Sequence, residues 1–178
     1  TGAGVPWGEH DDRLYCGISA IYRNAYRASL VAEWLPALDG VVERLERGAR
    51  VADVGCGHGH STVLMAQAFG RSRFVAVDTH DASLEVARAE AEAPGVAGRI
   101  AFRRADAKTY AAEGYDLICL FDMLHDLGDP VGAARHAREA LAADGTLMVV
   151  EPFAADAVGD NGGTIGGLSY AGSAVPSL

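Results

Sequence analysis

From residue 50 onward the chain alternates between short, nearly continuous apolar runs and stretches with apolar residues at helical spacing. Residues 50–54 read as a strand, and 61–69 as a helix that stops at Gly70. Residues 73–78 (Arg-Phe-Val-Ala-Val-Asp) read as a second strand. A helix follows over 81–93, with Asp81 as its N-cap and Pro94 beyond its end. Residues 99–104 give a third strand and 115–121 a fourth. Asp129-Pro130 caps and opens a helix running to about Ala143. Asp144-Gly145 then forms a turn into a fifth strand over 146–151. Strands this apolar, separated by helices, predict an α/β fold built on a doubly wound parallel sheet buried on both faces.

The two ends of the chain lack this alternation. Residues 1–27 carry Gly2, Gly4, Pro6 and Gly8, then Tyr15, Tyr22, Arg23, Tyr26 and Arg27. They read as an irregular entry followed by a helix. Leu30, Trp34, Leu38, Val41, Val42 and Leu45 continue at helical spacing, with Pro36 as a break and Gly48 as the stop. Residues 156–178 hold six glycines and few large apolar residues, so they read as a loop or tail. The organisation expected is an N-terminal helical extension over 1–48, a core over 49–155 and a glycine-rich tail over 156–178.

Composition narrows the classes. The 178 residues suit one domain, and 49% hydrophobic with 22% charged residues is ordinary for a globular core. A net charge of −9 argues against nucleic acid as a partner. No apolar run approaches the roughly 20 residues of a membrane span. The chain begins at Thr1 without a charged-then-apolar leader, so a fragment, a processed product or a trimmed chain is expected. Cys16, Cys56 and Cys119 are odd in number and far apart, which points to a reducing, cytoplasmic setting. His58, His60 and His80 match no metal-ligand spacing, and no metal is expected.

The chemistry gathers at the strand ends, where open parallel sheets bind ligands. Residues 51–62 read Val-Ala-Asp-Val-Gly-Cys-Gly-His-Gly-His-Ser-Thr. A strand ending at Asp53 turns into a helix through Gly55, Gly57 and Gly59, letting backbone approach a nucleotide-like ligand closely. Asp78 ends strand two, 25 residues after Asp53, where a carboxylate can accept from two ribose hydroxyls. The plainer alternative is a strand-end Asp that caps the next helix. Asp106 is either an acceptor for an adenine amino group or a turn residue. Phe121-Asp122, His125-Asp126 and Glu151-Pro152 mark the last two strand ends. A nicotinamide dinucleotide wants G-x-G-x-x-G, and here His60 stands where the third glycine should be, with Gly59 one residue early.

This loop resembles motif I of class I S-adenosylmethionine-dependent methyltransferases. The resemblance extends over residues 49–155, through Val75–Asp78, Asp106-Ala107, Tyr115-Asp116-Leu117-Ile118 and Gly145–Glu151. It implies that Gly55, Cys56, Gly57 and Gly59 pack against the methionine part of S-adenosylmethionine, with Asp53 ordering the loop. It also implies that Asp78, with Thr79 beside it, holds the ribose, that Asp106 and Ala107 flank the adenine, and that Phe121 and Asp122 lie beside the sulfonium. A cationic sulfonium suits a site rimmed with carboxylates.

Residues 124–129 resemble the His-Asp segment of small-molecule O-methyltransferases, where the matching His is the base. His125 is therefore the candidate general base for an acceptor that must lose a proton. The alternative is a His that merely hydrogen-bonds its loop. Glu151 is placed either in the acceptor pocket or in the cofactor shell. Tyr15, Tyr22 and Tyr26 form a lid or the core-facing side of an amphipathic helix. The expected function is methyl transfer to a small molecule, oxygen favoured. The other readings are a cofactor-binding domain without turnover and an NAD-dependent oxidoreductase. The family's C-terminal antiparallel hairpin is not recognisable. The sheet edge this exposes invites pairing with another chain, such as a homodimer.

Overall fold

The structure, a computed structural model, describes residues 10–163. The expectations for residues 1–9 and 164–178 lie outside the described residues. Five strands form one parallel sheet in the order β3-β2-β1-β4-β5: β1 is Arg50–Val54, β2 Arg73–Asp78, β3 Ile100–Arg104, β4 Tyr115–Phe121 and β5 Leu141–Val150. The order reverses between β1 and β4, so the switch point lies at their C-terminal ends, which carry the glycine loop and Asp122.

Alternate residues of the strands feed two apolar layers. Val51, Leu117, Cys119 and Phe121 join Leu30, Leu35, Leu45, Met65, Phe74 and Leu84 on one face. Ala52, Val54, Ile118 and Leu120 join Tyr110, Tyr115, Ala133, Ala137 and Ala140 on the other. This period of two, apolar at both phases, is why the strands read as continuous apolar runs.

The first face is covered by a π-helical segment (Tyr26–Trp34), α2 (Val41–Arg47), α3 (His60–Ala68) and α4 (Asp81–Glu92), while α1 (Asp12–Ala25) packs against the π-helical segment and α3. Helical backbone ends just before Pro36, the predicted break, where the Leu35 N–H donates five residues back to the Leu30 carbonyl at 3.0 Å. The second face is covered by α5 (Pro130–Ala140) and by residues 105–114, which cross from β3 to β4 without a helix. The backbone carbonyl of Tyr110 bonds His136 Nε2 at 2.8 Å, tying that crossing to α5.

Three local expectations are corrected. First, α5 ends at Ala140 and β5 begins at Leu141, because residues 142–145 bulge out of register between the Tyr115–Leu141 and Leu117–Thr146 pairings. A Cβ on Gly145 would lie 2.5 Å from the Tyr115 carbonyl oxygen, so only glycine fits that bulge. Arg44 holds it from outside through the Asp144 carbonyl (2.7 Å) and carboxylate (2.8 Å). Second, Asp81 is the first residue of α4 and not its cap; its carboxylate pairs with Arg104 at 2.7 Å. Third, β3 starts at Ile100, one residue later than expected, after a 3-10 turn over Ala97–Arg99. Asp129 caps α5 as read, accepting from the Gly132 N–H at 2.8 Å with Pro130 behind it. No helix among the described residues is long and apolar enough to cross a membrane.

Candidate functional site

The glycine loop joins β1 to α3 at the switch point. Gly55, Gly57 and Gly59 all take left-handed φ values, 73°, 51° and 74°, which side-chain-bearing residues adopt only with strain. They differ in surroundings. A Cβ on Gly59 would meet the Ala87 methyl at 2.8 Å, so this glycine lets α3 pack against α4. A Cβ on Gly57 would meet nothing within 4 Å, so the loop is open where a ligand would lie. The amides of Gly55 and Cys56 both donate to the Val77 carbonyl, at 2.8 and 3.0 Å, fixing the loop over the end of β2.

Asp53 is 1% exposed and faces inward. Its Oδ2 accepts from the Ser61 and Thr62 hydroxyls at 2.6 and 2.5 Å, binding the end of β1 to the first turn of α3. Burial pushes its carboxyl up to about 6, with the two hydroxyls pulling the other way. Asp53 therefore joins the two elements that flank the glycine loop, β1 and α3. Cys56 is also buried, and burial pushes its thiol well up.

Asp78 sits at the end of β2, half-buried. Its Oδ2 accepts from the Gly57 N–H at 2.8 Å and its Oδ1 from the His80 N–H at 2.9 Å. Each oxygen keeps a second lone pair for a ligand donor. Thr79 beside it is exposed. Across the site, Asp106, Ala107 and Lys108 face Leu127, Gly128 and Asp129 around an open cavity of ≈ 330 Å³. Asp106 accepts the Lys108 N–H at 2.8 Å, as its turn-residue reading requires, and is exposed enough to meet a ligand as well.

The ends of β4 and β5 carry the densest chemistry. Phe121 is buried under Tyr26 and Trp34, with ring centroids 5.5 and 6.3 Å away. Asp122 has φ 51°, a left-handed conformation no other described non-glycine residue takes. Burial raises its pKa, although a hydrogen bond from the Tyr22 hydroxyl works against the rise. Its Oδ1 is buried with no hydrogen-bond partner. His125 Nδ1 hydrogen-bonds Glu151 Oε2, and its Nε2 lies 3.4 Å from Asp126 Oδ1. Burial lowers the His125 pKa, but the Glu151 hydrogen bond and the charges of Asp126, Glu151 and Asp122 outweigh it, and the net shift is upward. The other Glu151 oxygen accepts the Met123 and Leu124 N–H groups, at 3.2 and 2.8 Å. One side chain just past β5 thus holds both the loop after β4 and the imidazole on it.

The fold therefore brings Gly55, Gly57, Asp78, Asp122 and His125 to one rim, and sets Asp53 and Cys56 beneath it. Sequence reasoning missed the Glu151–His125 pair, whose members are 26 residues apart, and the reach of Tyr22 to Asp122. Only Ser61-Thr62, at the start of the helix after Asp53, carried a readable signal for what a buried Asp53 would need. α1 lies across the rim: Tyr15 stacks on His80 at 4.6 Å, and Ser19 Oγ bonds His60 Nε2 at 2.8 Å.

Residues 45–161 match the model of a family described as a methyltransferase domain. The trans-aconitate 2-methyltransferase of Streptomyces avermitilis is 34% identical over 58% of this chain and 39% of its own. The ubiquinone biosynthesis O-methyltransferase of Bordetella avium is 32% identical over 58% of this chain and 41% of its own. The chain spans about two fifths of the length of these curated relatives. Among solved structures, an S-adenosylmethionine-dependent methyltransferase from Geobacter sulfurreducens, crystallised with S-adenosyl-L-homocysteine, superposes with a TM-score of 0.55. It is 26% identical and shares 66% of this chain and 47% of its own.

Proposed function

The chain belongs to the methyltransferase-domain family, and from that premise we propose that it binds S-adenosylmethionine at the glycine loop and methylates a small-molecule acceptor, at oxygen. The observation that carries the reading is the Glu151–His125 pair at the rim beside that loop.

The residues present fit this cofactor. The space over Gly57 is open to a ligand, and Asp78 has lone pairs left for ribose hydroxyls. Asp106 and Ala107 line the cavity on the side where an adenine would lie. The unpartnered Oδ1 of Asp122 suits the cationic end of the molecule. When bound, S-adenosylmethionine supplies an electrophilic methyl group on a sulfonium.

What the chain itself contributes is alignment and a proton acceptor. The Glu151 carboxylate takes the Nδ1–H of His125, which leaves Nε2 as the lone-pair nitrogen. Nε2 accepts the proton that an acceptor hydroxyl loses as it is methylated, and Glu151 stabilises the imidazolium that results. Tyr22 and Tyr26 close the rim from the α1 side.

Calorimetry with S-adenosylmethionine, S-adenosylhomocysteine and NAD tests the cofactor. Binding of either methyl-donor species without NAD is expected, and binding of NAD alone would reject the reading. Labelled methyl transfer over a panel of phenols, acids and amines then tests turnover; cofactor binding with no transfer to any acceptor would leave a binding domain only. His125→Ala should lower turnover about 10²-fold while cofactor affinity stays within a few-fold. Unchanged turnover would remove His125 from the base role.

A further inference from the structure

Asp122, His125 and Glu151 each bring one donor atom to a common point, with all three atoms within 4.8 Å of one another. Asp122 follows β4, His125 is on the loop after it and Glu151 follows β5, so the parallel pairing of those strands assembles the group. His125 Nδ1 contacts Glu151 Oε2 and lies 4.0 Å from Asp122 Oδ1. That Oδ1 is shut off from solvent and accepts no hydrogen bond. A buried carboxylate oxygen left unpaired costs more than about 1 kcal/mol, and a cation beside it would remove that cost. The surrounding charge has one sign. Asp126 adds a further carboxylate 3.4 Å from His125 Nε2. Among the described residues, no Lys or Arg forms an ion pair with Asp122, Asp126 or Glu151.

We propose that Asp122 Oδ1, His125 Nδ1 and Glu151 Oε2 form a binding site for a divalent cation of the Zn²⁺ or Mn²⁺ class. Two carboxylate oxygens and one imidazole nitrogen are a donor set for borderline ions, with positions left for water. Mg²⁺ prefers all-oxygen shells rich in water and should bind less tightly. The Met123 and Leu124 amides already hold Glu151 Oε1, and so orient Oε2 toward the imidazole as an outer shell does in metal sites. The absence of ligand spacing in the sequence is no obstacle, since the three residues meet only through the sheet. The site uses the same Asp122, His125 and Glu151 as the methyl-transfer reading, so the two compete. An ion on Nδ1 needs the lone pair there, so the ring proton now shared with Glu151 moves to Nε2. The imidazole then cannot accept another, so the bound ion would oppose the base role.

The test is calorimetric titration of Zn²⁺, then Mg²⁺, into the full chain, with no cofactor or acceptor present. One Zn²⁺ per chain is expected, at least about tenfold tighter than Mg²⁺. Asp122→Asn and Glu151→Gln should each weaken Zn²⁺ at least about tenfold. X-ray absorption of the Zn²⁺-loaded wild type should show a nitrogen and oxygen shell with one imidazole and no sulfur, a readout that holds even if a variant misfolds. No Zn²⁺ binding, binding undiminished in both folded variants, or a shell with sulfur or two imidazoles would overturn the site. Loss of binding in His58→Gln would do the same, by moving the ion to the glycine loop.

Discussion

Asp53 shows how one buried carboxyl ties the site to the stability of the fold. Its charged form has lost water and gained two hydroxyl donors, and the loss dominates, raising the folded pKa from 3.8 to about 6. The folded state therefore holds this proton more tightly than the unfolded chain does. The stabilisation is fully present below pH 3.8 and is lost as pH rises through about 6. Complete ionisation removes on the order of 3 kcal/mol. Asp53→Asn carries no titrating group, yet keeps an oxygen for Ser61 and Thr62. Urea unfolding from pH 4 to 7 should show the wild type losing stability relative to the variant across that window. A constant difference would mean that Asp53 ionises in the folded protein as it does in a free chain.

At the scale of elements, the two loop glycines should separate packing from ligand space. Gly59→Ala meets both a left-handed φ of 74° and the Ala87 methyl at 2.8 Å, so it pushes α3 off α4. It should cost about 2–4 kcal/mol in thermal or urea unfolding. Gly57→Ala meets only its φ of 51° and should cost about 1–2 kcal/mol. Its new methyl stands in the open space over the loop and should weaken S-adenosylhomocysteine binding at least about tenfold by calorimetry. Equal affinity in Gly57→Ala and wild type would show that the ligand does not approach there. The same contrast explains what was readable in the sequence. The strand and helix alternation, the glycine loop and the Asp129-Pro130 cap are written in neighbouring residues, and all were legible. The early start of β5 was not, because it depends on Gly145 meeting the Tyr115 carbonyl and on Arg44 gripping Asp144. Nor was the partner of His125, because Glu151 reaches it only through the pairing of β4 with β5. The expectation of no metal rested on spacing along the chain, which says nothing about donors joined across a sheet.

In the whole molecule, the N-terminal helix is the part of the rim that sequence patterning could not orient, and its attachment is chemical as well as apolar. Tyr15 on His80 and Tyr22 on Asp122, followed by Tyr26 of the π-helical segment on Phe121, lie along the C-terminal edge of the sheet. Ser19 bonds His60 at the start of α3, and Arg23 lies 3.8 Å from Glu90 on α4. His60 is the titrating member of this contact. Burial lowers its pKa, Glu90 opposes that, and Arg23, His58 and Arg27 reinforce it, so the net shift is below 6.5. The folded state thus binds this proton less tightly than the unfolded chain. The contribution of His60 is present above pH 6.5 and is lost as pH falls below it. Protonation also sets a charge beside Arg23 and Arg27, so the loss should be felt first in α1 and not in the sheet. Hydrogen exchange of α1 amides, corrected for intrinsic rates, should rise relative to β4 between pH 7.5 and 5.5. Ser19→Ala should raise it already at pH 7.5, and His60→Gln should remove most of the pH dependence. If α1 exchanges at the same corrected rate at both pH values, the tyrosine contacts alone hold the helix on the rim, and His60 has no part in closing it.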